Sequence, residues 1–437
     1  MESFMKIKFS LVAAMIGLSG LLISAQAQEE LFQRGIEFGV GGRAMGMGGA
    51  YIGVGDDYSA AFWNPAALTQ IRRLEGFATL SYAQREDNAT FDFYRENDKA
   101  SYTNFNSIGL AYPIPTYRGS LVFSLGYHRV RPYDSNFSFS WFNNTPDDSV
   151  NQRWSELEDG SLNNWTFAGA SEIAPNFSVG ASVNLWSGKN DFLASFTERD
   201  VLNLYTFDSY RNDNALLSEF SGVNFKLAGL YRASSLLRLG FTLATPTTFT
   251  VKEKWNTSDE TEYDDGEVEQ GNDNGRFEYK IRSPFSLGAG ASVNAAGLLL
   301  SGSVEHNDWS QIRYTTEPPI EGLSRNEAND ELARNYRATT RVRLGAEFTL
   351  PVLDVQLRGG YLLDPNPLEG LPGDADREFL TAGVGIFLDK QVRLDLAFVT
   401  GEWRDYKQPL DDLSDTLVPV SEKITLNKAF ASLAFRF

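Results

Sequence analysis

From about Glu75 to the C terminus the chain keeps a two-residue rhythm, which restricts it to β-structure with one apolar and one polar face. Val223, Phe225 and Leu227 alternate with Asn224 and Lys226. Phe177, Val179, Ala181, Val183 and Leu185 alternate with Ser178, Gly180, Ser182 and Asn184. Val342, Leu344, Ala346 and Phe348 alternate with Arg341, Arg343, Gly345 and Glu347. Alternation alone does not separate a soluble sandwich from a membrane barrel, because each hides one face.

The connections decide between them. Short turns fall at 113–119, 174–176, 233–235, 295–297, 351–353 and 389–390. Long polar stretches fall between them, at about 86–103, 132–162, 188–219, 252–276, 313–336, 364–376 and 403–422. Short and long connections alternate strictly, and together they join fourteen strands. An even strand number with turns at one end and long excursions at the other is the outer-membrane barrel pattern. The composition agrees: mean hydropathy is slightly polar while aromatics reach 13%, as expected when only alternate residues face lipid. The last strand places Ala429, Ala431, Leu433, Phe435 and Phe437 on one face, opposite Lys428, Ser432, Ala434 and Arg436, with Phe430 as the apolar exception. The aromatic end resembles the C-terminal signal recognised by the barrel-assembly machinery. The expected fold is therefore all-β, a fourteen-stranded antiparallel transmembrane barrel over 75–437, in the bacterial outer membrane.

Two segments precede the barrel. Lys6 and Lys8, the apolar run Phe9 to Ile23 and then Ala25-Gln26-Ala27 form a secretory signal peptide over 1–27. Residues 28–74 are glycine-dense and lack the alternation, so they are expected to form a compact plug inside the lumen. No P-loop or complete Gly-x-Gly-x-x-Gly is present there. Asp56-Asp57-Tyr58-Ser59 followed by alanines predicts a helix start, and Asn64-Pro65 a turn that ends it.

The stretch from Gly42-Arg43-Ala44 through Asp56-Asp57 to Asn64-Pro65-Ala66 resembles the N-terminal hatch of the FadL/TodX family of hydrophobic-compound transporters. Weaker matches follow at Thr245-Pro246-Thr247, Glu305-His306-Asn307-Asp308-Trp309 and Leu357-Arg358-Gly359-Gly360-Tyr361. The resemblance implies a monomeric plugged barrel that takes up long-chain fatty acids or aromatic hydrocarbons passively. It further implies ligand capture outside, plug rearrangement, and lateral release beside a kinked third strand. Gly42, Arg43, Asn64, Pro65 and Ala66 are then the hatch motif. Gly126 and Pro132 are candidates for the lateral gate, since glycine tolerates bulges and proline cannot donate to the ladder. The alternative is a PorV-like plugged barrel, with the same Gly-rich, Asn-Pro-Ala start, that hands cargo to a protein-secretion system.

Other chemistry finds little support. The net charge of −18 makes nucleic acid a poor partner, and lipid and lipopolysaccharide are the expected surroundings. Alternation puts Lys226, Arg238, Arg341, Arg343, Glu347, Arg358, Arg393, Asp395 and Arg436 on the lumen side. These are expected to pair with one another or to hold the plug, so no ligand-binding residue is named. The acidic stretch 258–275 has no EF-hand spacing and is expected to be a solvated loop. With two histidines, no cysteine and no nucleophile motif, neither an enzyme nor a metal or other cofactor is implied.

Overall fold

In the computed structural model the described residues are 37–437, apart from 92–93, 146–147, 321 and 408–419. The expected signal peptide and residues 28–36 of the expected plug lie outside them. Among the described residues no helix is long and apolar enough to cross a membrane. The wall is instead one closed antiparallel sheet.

Fourteen strands make it. They are β1 (Glu75–Phe91), β2 (Tyr94–Ile114), β3 (Leu121–Pro132, resuming at Ser135–Thr145), β4 (Asp148–Ala174), β5 (Phe177–Arg199) and β6 (Phe207–Arg232). Next come β7 (Leu237–Ala244 and Thr248–Tyr263), β8 (Val268–Arg282 and Ser286–Ala295) and β9 (Leu298–Asp308 and Arg313–Tyr314). The last are β10 (Ala338–Thr349), β11 (Gln356–Asp364), β12 (Arg377–Phe387), β13 (Val392–Lys407) and β14 (Val420–Arg436). β1 closes on β14 from Glu75 opposite Arg436 onward, and Phe437 donates its amide to Leu74 O at 2.9 Å. Closure satisfies the wall's backbone groups, as hydrocarbon requires.

The predicted facing holds. Val223, Phe225, Leu227 and Tyr231 are 44–55% exposed on the outside, while Asn224 and Arg343 are buried inside. Such exposed apolar side chains recur around the wall and form the lipid-facing belt. The turn positions hold too: Ala174 to Phe177 closes through Asn176 at φ 66°, and Ala295 to Leu298 through Ala296 and Gly297, both at positive φ.

The long polar stretches are mostly not loops. β4 and β6 run 27 and 26 residues, far beyond the ~10 that a tilted strand needs to cross a bilayer. They pair continuously into the region expected to be loop, for example from Gly188 opposite Phe220 to Arg199 opposite Ser209. The physical reason is that above the belt the outer face meets water. Lys189, Glu219, Lys252 and Lys254 point outward there, so the apolar half of the alternation fades while hydrogen bonding continues. The acidic stretch 258–275 is accordingly a β-hairpin. Alternation turns Asp259 inward onto Asn212 and Tyr210, at 2.6 and 2.8 Å, and leaves Glu260 on the other face with Gln270. After Tyr314 the stretch 313–336 does leave the sheet, forming helix α3 (Arg325–Asn335), which Ser324 and Glu327 close with a capping box.

Inside, residues 38–71 are almost wholly buried and touch strands all around the ring. They contain α1 (Gly42–Gly46), α2 (Ala60–Trp63) and a 3-10 turn, Pro65–Gln70. Asn64 does end α2, but it also starts the 3-10 turn by accepting Ala66 N on its side chain at 3.0 Å. The outer half of the barrel has its own apolar cluster, with Tyr133, Phe220, Phe249, Tyr279, Tyr314 and Leu332 of α3 among its buried members.

Candidate functional site: an unpaired seam and the segment behind it

The wall is zipped along its belt, and above the belt the joint between β2 and β3 opens. β2 pairs with β3 only from Ile114 opposite Leu121 to Ser107 opposite His128. Beyond that point, among the described residues, Tyr94 to Phe105 pair only with β1, and the paired residues from Arg129 to Thr145 pair only with β4. Each strand carries a bulge where the joint ends. On β2, Asn106 is the extra residue between Ser107 and Phe105. On β3 it is Val130, between Arg129 and Arg131. A bulge bends its strand and sharpens the local twist, so a bulge on both edges steers the two strands apart. Pro132 follows, with no N–H for a ladder bond. The seam is bridged instead by longer-reaching contacts: Asn104 Nδ2 to Asp134 Oδ2 at 3.1 Å, Ser138 N to Asp98 Oδ2 at 2.6 Å, and Tyr94 Oη to Phe142 O at 3.1 Å.

Directly below the seam Gly126 faces Gly109 across β3 and β2. Neither has a Cβ because the space is taken: a methyl group on either would collide with the Tyr58 ring or hydroxyl. Tyr58 is fully buried, donates its amide to Glu75 Oε1 at 2.7 Å and lies over Phe77 with centroids 5.3 Å apart. Its hydroxyl stands 3.5 Å from His128 Nε2. The other side of this single-layer wall carries an apolar groove of about 550 Å³, open to lipid, lined by Leu110, Phe123, Leu125, Phe167, Val183 and Leu227. Leu110 and Leu125 are the immediate chain neighbours of the two glycines, so Tyr58 and the groove are separated by backbone alone.

The interior segment is held unevenly. Toward β10, β11 and β13 the bonds are ionic. Arg43 grips Glu347 with Nε and Nη2 at 2.8 and 2.7 Å and also pairs with Asp56. Arg358 joins Glu347 to Asp395 at 2.6 and 2.9 Å, and Arg393 reaches Asp395 at 3.0 Å. Gly42 N donates to Ser432 Oγ at 2.7 Å. Gly48, at φ 64°, lets the segment touch the backbone of Leu344 and Tyr361, where a Cβ would clash. Toward β5, β6 and β7 the bonds are mostly neutral: Asn64 Nδ2 donates to Ile52 O and Gly229 O at 2.8 and 3.2 Å. Pro65 and Ala66 lie against Gly180, where no side chain would fit. Lys226 reaches over Phe62 to donate to its carbonyl at 2.7 Å.

The positions singled out by sequence thus fall into three places. Gly42 and Arg43 sit in the ionic contact, Asn64, Pro65 and Ala66 in the neutral one, and Gly126 and Pro132 at the seam. Tyr58, Gly109, Asn106 and Val130 were not singled out. Tyr58 was read only as part of a helix start, and a bulge leaves no mark in composition.

Comparison with known proteins places this geometry. A family model described as outer membrane protein transport protein (OMPP1/FadL/TodX) matches residues 20–408. No curated protein sequence matches the chain. Among solved structures, a Pseudomonas aeruginosa FadL homologue has a TM-score of 0.61 at 16% identity, covering 92% of this chain and 100% of that one. The P. putida toluene transporter TodX has a TM-score of 0.61 at 15% identity, covering 92% and 99%. The Ralstonia pickettii toluene transporter TbuX has a TM-score of 0.56 at 15% identity, covering 92% and 99%. At such identity these structures support the fold alone; the secretion-shuttle alternative is not favoured by any of the matches. The chain belongs to the OMPP1/FadL/TodX family of outer-membrane transport proteins.

Proposed function

We propose that this protein admits hydrophobic small molecules passively across the outer membrane, long-chain fatty acids or aromatic hydrocarbons, and releases them sideways into the bilayer. Residues 38–71 act as the plug, and the seam between β2 and β3 marks where the wall lets ligand out. The observation that carries the reading is Tyr58, buried behind the Gly109–Gly126 pair with a lipid-facing apolar groove beyond it. An apolar ligand gains roughly 25 cal/mol for each Å² it hides from water, so partition into the outer cluster and then into lipid drives the passage downhill. Plug rearrangement moves Tyr58 and opens the way. An aromatic substrate class is proposed by analogy with the toluene transporters TodX and TbuX, which share this fold.

Uptake of a labelled long-chain fatty acid and of an alkylbenzene would be compared in a deletion strain and in the strain carrying the wild-type protein, Tyr58→Ala or Asn64→Ala. The deletion strain should lose uptake of at least one class. Tyr58→Ala should raise the rate several-fold, and Asn64→Ala should change it by loosening the plug. Normal uptake of both classes in the deletion strain sinks the transport reading, and an unchanged rate in Tyr58→Ala removes the tyrosine from the passage.

A further inference from the structure

The lipid-facing groove has a direction and a charged end that the uptake reading does not use. Two neighbouring rungs of outward side chains form it, running from β2 to β6. One rung is bulky throughout, from Leu110 to Phe225. The other reads Tyr112, Phe123, Gly169, Ala181, Leu227, so it dips at the two small residues. Tyr112 and Phe123 stand two residues from the turn ends of β2 and β3, and Leu227 stands five from that of β6. The hollow of about 550 Å³ therefore climbs from the rim beside the β2–β3 turn toward the middle of the belt.

At that rim the charge is one-sided. Arg118 is exposed on the β2–β3 turn, and Arg72 and Arg73 are exposed on the stretch leading into Glu75, which pairs with Ala111 of β2. None of the three makes an ion pair among the described residues, and neither 70–74 nor 113–120 contains a carboxylate. Neighbouring carboxylates are engaged: Glu75 by Arg436 at 2.6 Å, and Glu172, at the adjacent end of β4, by Arg232. Tyr112 and Tyr117 are exposed here, as aromatic rings are at the headgroup level of a membrane. Arg118 precedes Phe123 by five positions, so at about 3.3 Å per residue it lies within roughly 17 Å of the hollow.

Inside a bilayer no hydrophobic force presses a chain against the wall, so affinity comes from packing and from the head group. A hydrocarbon chain lying in the dip gains contacts on its flanks as well as its base. An anionic head at the rim meets guanidinium groups that no carboxylate neutralises, and these bind phosphate well. A zwitterionic head brings an ammonium that the same arginines repel, and a plain hydrocarbon has no head at all. Short turns mark this end as periplasmic. The lipid of that leaflet is phospholipid, and lipopolysaccharide belongs to the opposite one.

We propose that this groove is a binding site for one anionic phospholipid of the inner leaflet, with an acyl chain in the Gly169–Ala181 dip and the phosphate at Arg118, Arg72 and Arg73. The site stands on shape and charge, whether or not ligand passes through the wall beside it.

The test places the full-length protein in nanodiscs of phosphatidylglycerol, phosphatidylethanolamine and lipopolysaccharide, strips it gently with detergent, and identifies the lipid retained by native mass spectrometry. The wild type should keep one phosphatidylglycerol, at least tenfold in preference to phosphatidylethanolamine. Ala181→Phe, which adds apolar bulk on the lipid side only, should lose the retained lipid. Arg118→Gln should still retain a phospholipid but cut the preference about fivefold, the share of one arginine near an anionic surface. Retention in Ala181→Phe equal to that of the wild type overturns the site. So does a wild type that holds the two phospholipids equally, or that holds lipopolysaccharide or nothing. Uptake in the deletion strain is measured separately, so this proposal and the transport reading can each fail alone.

Discussion

Glu253 shows how a single side chain ties the outer barrel to pH. It stands above the lipid belt, where the outward neighbours Lys252 and Lys254 meet water, yet it is itself buried. Burial pushes its carboxyl up to about 7, against an ordinary value of 4.5, while the hydrogen bond from the Tyr279 hydroxyl pulls the other way. The folded chain therefore holds this proton more tightly than the unfolded one between those two values. Its stabilising effect is complete below pH 4.5 and is lost as pH rises through 7. The loss amounts to roughly 3 kcal/mol at most. Hydrogen exchange in the β6–β7–β8 outer sheet should accordingly show less protection at pH 8 than at pH 5, after correction for intrinsic rates, and Glu253→Gln should erase the difference. If the variant keeps the wild-type pH dependence, the effect belongs to other groups. Residue detail of this kind was only half legible beforehand. Alternation placed Glu347, Arg358 and Asp395 inside, but nothing in the sequence joins Arg43 to Glu347, 304 positions away. Tyr58 was invisible for the same reason: its socket is two glycines on different strands, and they meet only once the register is known.

The seam belongs to the scale of the element. Strand number, order and turns were readable because each depends on a local rule, the two-residue rhythm and the residues that break it. Whether two neighbouring strands stay zipped depends on bulges, which change the count of residues on one side without changing their type. Gly126 and Pro132 were the visible signs, but Gly126 sits in unbroken register and the bulges fall at Val130 and Asn106. The same logic explains why 132–162, 188–219 and 252–276 were expected to be loops: above the belt, strands lose the apolar face that announces them. If the seam is where ligand leaves, tying it should slow uptake. The chain has no cysteine, so an Asn104→Cys/Asp134→Cys pair, placed where these side chains already touch, gives a clean cross-link. Oxidised protein should transport at least several-fold more slowly than the same protein treated with reductant, with each single variant insensitive to it. Equal rates in the two redox states would move the exit elsewhere in the wall.

At the scale of the whole molecule, one barrel passes through two solvents, and its outer face records the boundary. Along β6 the outward residues Tyr231, Leu227, Phe225 and Val223 are exposed and apolar, and Ser221 and Glu219 follow. On β5 Leu193 also points outward, at 50% exposure, but stands beside Asp191 and two outward positions beyond Lys189, in the watery part. Two residues of one type and similar exposure thus sit in different media, which separates the effect of lipid from that of the fold. A lysine at Leu227, near the middle of the belt, should cost about 2–4 kcal/mol of folding free energy, because it must be dehydrated or drag water into hydrocarbon. A lysine at Leu193 should stay within about 0.5 kcal/mol of the wild type, as surface changes usually do. Reversible urea unfolding in phospholipid vesicles measures both. Equal costs at the two positions would mean that the membrane boundary does not lie between Val223 and Glu219. The plug and the seam would then have to be set against a different level of the barrel, since the groove beside Tyr58 serves as an exit only where it opens on lipid.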